Sequence, residues 1–114
     1  MLSPLEVAKS TVEALDEKSA RDIKVLKTEN LTVLANYFVI CTATSTTHIK
    51  TLSDEVEKQL EAKGELVRRK EGYRSGGWVL LDYGCVVVHL FLEEIREFYS
   101  LERLWGDAEV VQVI

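Results

Sequence analysis

Apolar residues recur along this chain at two spacings, and the switches between them predict its elements. Ser3-Pro4-Leu5-Glu6 reads as a helix start: Ser3 can cap, Pro4 suits the first helical position, and Glu6 completes a capping box. Leu5, Ala8, Val12 and Leu15 then fall on one helical face. Ile23–Lys27 reads as a short strand. Residues 28–35 form a connection whose Leu31, Val33 and Leu34 are expected to pack inward. Asn36–Ala43 (NYFVICTA) is rich in aromatic and β-branched residues, as buried strands are. Thr44 and Ser45 are cap candidates for a second helix running to about Lys63, with Ile49, Leu52, Val56 and Leu60 inside and Gly64 at its C-terminal stop. Glu65–Lys70 is a third strand, and the polar, glycine-rich Glu71–Gly77 is expected to be among the least ordered loops. Two strands follow in GGWVLLDYGCVVVHLF (residues 76–91), then a helix from about Glu93 to Tyr99. The tail Leu101–Ala108 is expected to add a helical turn.

The predicted order is α-β-β-α-β-β-β-α. Helices alternate with strands, but strands also follow one another directly. That pattern indicates an α/β (α+β) domain built on a mixed sheet of about five strands. At 114 residues the chain, 1–114, is read as a single domain.

The stretch 76–91 carries Asp82, Cys85 and His89, three residue types that often do chemistry. Tyr83-Gly84 is a turn signal. A two-residue loop there would set Asp82 opposite Cys85 and Trp78 opposite His89. One face of the hairpin is then aliphatic: Val79, Leu81, Val86, Val88 and Leu90. The other is mixed: Trp78, Leu80, Asp82, Cys85, Val87, His89 and Phe91. The aliphatic face is core. The mixed face, with few helices left to cover it, is expected to stand partly open, and contiguous exposed apolar surface marks a protein contact. The competing reading is that the tail folds over it. A Cys–His–Asp triad is excluded here, because residues four apart on one strand lie roughly 13 Å apart. His89 is better read as a cross-strand partner of Trp78 or as bonded to a carboxylate. His48, near the second helix start, reads as surface.

Composition narrows the chemistry further. Net charge is −5, which gives no help in binding nucleic acid phosphates. Arg68-Arg69-Lys70 is the one basic cluster, most simply a solvated strand end; the acidic excess suits a basic protein partner better. Cys41 and Cys85 form no metal or disulfide pattern and are expected as buried thiols. No GxGxxG, Walker loop, HExxH or Cys/His cluster occurs, so neither a cofactor nor a metal is expected. No apolar run approaches the roughly 20 residues of a membrane span. The N-terminus lacks the pattern of a secretory signal, so a cytosolic protein is expected.

Several segments together resemble the Iojap family of ribosomal silencing factors. They are Asn36-Tyr37-Phe38-Val39-Ile40, Ser45 opening the second helix, Glu71-Gly72, Trp78–Gly84 (WVLLDYG), Val86–Phe91 (VVVHLF) and Arg96–Trp105 (REFYSLERLW). The resemblance spans roughly residues 20–108, and the ordered combination is what is specific. Asn36 stands where the family usually has Asp, Thr47 where Arg is common, and Cys85 where an acidic residue is frequent.

The resemblance implies a translational repressor. Members bind the large ribosomal subunit, at a ribosomal protein of its intersubunit face (number fourteen of the large-subunit set), and block joining of the small subunit. It implies a nucleotidyltransferase-like fold without that activity, since the Cys41–Ser45 region is followed by no closely spaced Asp pair for metal ions. It implies an association with ribosomes in the cytoplasm. Placed on the mixed face, the expected partner contacts are Trp78, Leu80, Asp82, Tyr83, Val87 and His89, with Tyr73, Arg96 and Tyr99 as second choices. Two rivals stand beside this reading. One is a nucleotide-handling enzyme using the cleft beside Ser45 and the Glu71–Gly77 loop. The other is a homodimer formed through the Trp78 face.

Overall fold

The computed structural model describes residues 2–28, 35–99 and 109–111. The expected elements appear in the expected order: α1 (Pro4–Glu17), β1 (Arg21–Lys27), β2 (Tyr37–Ala43), α2 (Thr46–Ala62), β3 (Arg69–Glu71), β4 (Trp78–Asp82), β5 (Val86–Leu92) and α3 (Glu93–Tyr99). A further two-residue strand, β6 (Glu109–Val110), was not anticipated; it pairs antiparallel with β1. The helical turn expected over 101–108 and the inward packing of Leu31, Val33 and Leu34 lie outside the described residues.

The sheet order is β3-β4-β5-β2-β1-β6. Its centre is a parallel ladder of β2 and β5, running from Tyr37↔Val86 to Ala43↔Leu92. The other pairings are antiparallel, so the sheet is mixed. Side chains alternate between faces along every strand. Val39, Cys41, Val79, Leu81, Val88 and Leu90 point to one face and form the main core with Val7, Leu15, Ile49, Leu52, Val56 and Leu60 of α1 and α2. Leu26, Ile40 and Phe91 form a second, smaller cluster on the opposite face, joined by Phe38, Trp78 and Ile95.

The helices start as their sequences dictate. Ser3 Oγ accepts from Glu6 N at 3.2 Å while Glu6 Oε1 accepts from Ser3 N at 3.0 Å, a complete capping box. Ser45 Oγ accepts from His48 N at 3.0 Å and caps α2. The α2 stripe is buried as expected, and so are Ala8, Val12 and Leu15 of α1, but the buried face of α1 is wider than expected and excludes its first member. Leu5 is exposed, and Val7, Thr11 and Ala14 are buried as well. His48 does more than decorate the surface: its Nδ1 accepts from Thr44 N at 2.9 Å and its Nε2 reaches Lys18 O at 2.8 Å, tying the end of α1 to the start of α2.

Strand β3 is shorter and later than Glu65–Lys70. Pairing with β4 opens at Arg68, whose N–H donates to Asp82 O at 2.8 Å. Ahead of it, Leu66 is 67% exposed and Glu65 turns back to accept from Leu2 N at 3.0 Å. The Glu71–Gly77 loop is pinned, against expectation. Gly72 O accepts from Gly76 N at 3.0 Å and from Ser75 Oγ at 3.1 Å, and Gly77 O accepts from Leu92 N at 3.0 Å. Gly72 has φ +81, and a Cβ there would collide with the carbonyl oxygen of Trp78. Gly72→Ala should therefore destabilise the fold by at least about 2 kcal/mol, read as a lower urea midpoint, because both left-handed backbone and a clash with main chain are imposed.

Candidate protein-docking face

The β4–β5 hairpin decides where the candidate contacts go. Its register is Trp78↔Phe91, Leu80↔His89 and Asp82↔Val87, two residues from the expected pairing. Tyr83 N donates to Val86 O at 2.9 Å, which leaves Gly84-Cys85, not Tyr83-Gly84, as the two-residue turn. Gly84 has φ +84 at the first turn position, which glycine adopts without strain and the II′ hairpin requires. Asp82 Oδ1 accepts from Gly84 N at 2.8 Å and closes the turn from the side. A slip of two residues keeps every side chain on its face, whereas a slip of one would have inverted them all. The aliphatic and mixed faces are therefore as read from the sequence, except that Cys85 packs against the α1–α2 core. Cys85, however, is not opposite Asp82 and is not buried; it sits half-exposed in the turn, while Cys41 is fully buried and its thiol is pushed up to about 12 by desolvation.

Five of the expected contact residues share the mixed face: Trp78, Leu80, Asp82, Val87 and His89. Trp78, Leu80, Asp82 and Val87 are half-buried. Phe38 joins them from β2, beside Val87 in the parallel ladder, and is half-buried too. Sequence reasoning missed Phe38, although the alternation in NYFVICTA separates Phe38, Ile40 and Thr42 from Tyr37, Val39 and Cys41. The rings touch: Phe38 and His89 meet edge-on at 4.9 Å, Trp78 and Phe91 lie tilted at 4.9 Å, and Trp78 Nε1 donates to His89 Nδ1 at 3.2 Å. His89 is thus bonded to Trp78 as foreseen, but diagonally and not directly across.

The other candidates fall elsewhere. Tyr83 is only 4% exposed and belongs to the core on the α1–α2 side, where burial and then Glu57 and Glu61 push its hydroxyl well above an ordinary tyrosine. Tyr73 also lies on that side: its hydroxyl donates to Asp54 of α2 at 3.1 Å, and Lys70 Nζ stands 3.9 Å over its ring. Arg96 is on the mixed face but buried, 9% exposed. Its Nη1 donates to Asp22 O at 2.7 Å and Thr42 Oγ1 at 2.8 Å. Asp22, with φ +49, sits in the irregular register of β1, so Arg96 holds a strained bend. Tyr99 belongs to α3, and its side chain lies outside the described residues.

The mixed face is also less open than expected. Among the described residues the helix layer is α1 and α2; α3 follows β5 directly and brings Ile95 and Arg96 onto the opposite face. What stays accessible is the β3–β4–β5 portion, with a polar rim. Arg69 pairs with Glu71 at 3.2 Å and stands 3.9 Å from Asp82 there.

The family model described as "ribosomal silencing factor during starvation" matches residues 2–114. The chain belongs to that family. A relative from Halalkalibacterium halodurans, named ribosomal silencing factor, is 36% identical over 112 residues, covering 98% of this chain and 96% of its own. A mouse relative, named for mitochondrial assembly of the ribosomal large subunit, is 35% identical over 97 residues, covering 82% of this chain and 42% of its own. The crystal structure of a family-sized Chromobacterium violaceum protein superposes with a TM-score of 0.90 at 37% identity, covering 92% of this chain and 88% of that one.

Burial holds His89 far below an ordinary imidazole, at about 4, so this face carries it neutral at pH 7. Below about pH 6.5 the unfolded chain takes up a proton that the folded ring refuses until about pH 4. Stability should therefore fall as pH drops through that window and be unaffected by His89 above it. Between pH 7 and pH 5 urea unfolding should show a loss about 2 kcal/mol larger for the wild-type protein than for His89→Phe.

Proposed function

We propose that this protein damps translation by docking on the large ribosomal subunit, at a ribosomal protein of its intersubunit face. The observation that carries this reading is the half-buried apolar strip of Phe38, Trp78, Leu80 and Val87 on the sheet face away from α1 and α2. Such a strip, rimmed by Arg69, Glu71 and Asp82, has the make-up of a protein interface: an aromatic centre with charge at its edge. Family membership supports the ribosome as partner, and the mouse relative's name supports the large subunit.

The mechanism is steric. A bound small domain occupies space the small subunit needs, and no bond is made or broken. Trp78 is the anchor, since large aromatic side chains in an interface contribute most of the affinity that alanine scanning detects. This reading leaves Tyr73, Tyr83 and Arg96 out of the contact set, because the Tyr73 hydroxyl bonds Asp54, Tyr83 is buried in the core and Arg96 bonds Asp22 O.

Sucrose-gradient sedimentation with purified large subunits, then with small subunits added, tests the reading. The protein should co-migrate with the large subunit and reduce the joined fraction; a protein left at the top of the gradient, with joining unaffected, would refute it. Trp78→Ala should weaken large-subunit binding by at least about 1 kcal/mol while circular dichroism stays native. Unchanged affinity would remove Trp78 as the anchor.

A further inference from the structure

An indole nitrogen can only donate a hydrogen bond. Because Trp78 Nε1 lies 3.2 Å from His89 Nδ1, Nδ1 must be the acceptor and the ring proton must sit on Nε2. That fixes the tautomer of His89. Its Nε2 is buried and meets no hydrogen-bond partner. The ring as a whole is 5% exposed.

An imidazole here is costly. Its desolvation is unfavourable, and a buried donor without an acceptor carries the full desolvation penalty of that group. A phenylalanine in the same place would keep the edge contact with Phe38 at 4.9 Å and the stacked contact with Phe91 at 6.1 Å, with neither cost. What histidine supplies and a hydrocarbon cannot is the acceptor at Nδ1. That acceptor serves Trp78.

We propose that His89 is the positioning residue of the docking face: its Nδ1 occupies the indole N–H of Trp78 and fixes the orientation in which that ring meets a partner. The inference rests on the docking reading above. His89 holds Trp78 at Nε1, and Phe91 lies under its ring at 4.9 Å and 33°. With the N–H bonded to His89, the surface left to the partner is the hydrocarbon part of the ring. The matching site on the ribosomal protein is then an apolar cleft that need not offer an acceptor to the indole. Ordering the ring before contact also removes part of the entropy that docking would otherwise cost.

Three substitutions separate the roles of the two nitrogens. His89→Phe keeps a ring and loses both nitrogens. His89→Gln can place an amide near Nε2 but not near Nδ1. His89→Asn can place its Oδ1 near the Nδ1 position and restore the acceptor. The readouts are the indole N–H resonance of Trp78, assigned by its loss in Trp78→Phe, its solvent exchange rate, and affinity for purified large subunits. His89→Phe and His89→Gln should shift the resonance, speed exchange and weaken binding about tenfold. His89→Asn should recover the resonance and most of the affinity. A melting temperature for His89→Phe at neutral pH no lower than that of the wild-type protein would exclude a folding defect.

An unmoved resonance in both His89→Phe and His89→Gln would overturn the inference. So would a moved resonance with wild-type affinity, since the docking reading would then stand without it. A wild-type protein that fails to bind large subunits would refute the docking reading itself and this inference with it.

Discussion

The parallel pairing of β2 with β5 is the constraint on which the rest depends. It joins residues far apart in sequence, 37–43 with 86–92, at the centre of a six-stranded sheet. Parallel strands need a crossover, and α2 with the β3–β4 hairpin arm provides it. Once that ladder is in register, alternation settles everything on either side. Val39, Cys41, Val88 and Leu90 must face α1 and α2, and Phe38, Ile40, His89 and Phe91 must face the other way. Both sets are buried or half-buried, so a one-residue slip would exchange aliphatic and aromatic layers at once.

The two faces have different physics. The α1–α2 side is packed with aliphatic side chains at or near zero exposure, and it reads as scaffold. The opposite side has a small closed end, where Ile95 and Arg96 of α3 seal Ile40, Thr42 and the bend at Asp22, and a half-buried end at Trp78, Leu80 and Val87. A docking strip needs rigidity beneath it, because side chains that must be ordered on contact lower affinity. Here the strip lies on the strands that carry the core on their reverse, so the core that stabilises the fold also stiffens the strip.

Much of this was legible in the sequence, and the failures have specific causes. The capping box at Ser3 and Glu6 was legible because it is a local hydrogen-bond pattern. The faces of the hairpin were legible because alternation survives a register shift of two. The register itself was not, since Tyr83-Gly84 and Gly84-Cys85 are both plausible turns, and the choice lies in the Tyr83–Val86 bond and the Asp82–Gly84 bond. Tyr83 and Tyr73 fall on the other side for different reasons: Tyr83 continues the alternation of Val79 and Leu81 into the α1–α2 core, and the Tyr73 hydroxyl is held by Asp54 of α2. Arg96 was expected as a second-choice partner contact, and nothing local in the sequence shows its internal acceptors. Its acceptors are Asp22 O and Thr42 Oγ1, 74 and 54 residues away in sequence.

The same logic explains why polar residues persist on the face proposed to dock. Asp82 is spent first on the hairpin: one oxygen holds Gly84 N and the other stands near Arg69. His89 is spent on Trp78. Asp82 thereby fixes the turn of the hairpin, and His89 fixes the orientation of the Trp78 ring. Exposed salt bridges such as Arg69–Glu71 contribute little to stability, and their place is at the rim, where charge steers an approaching partner. The apolar centre then supplies affinity, and the polar groups around it supply geometry.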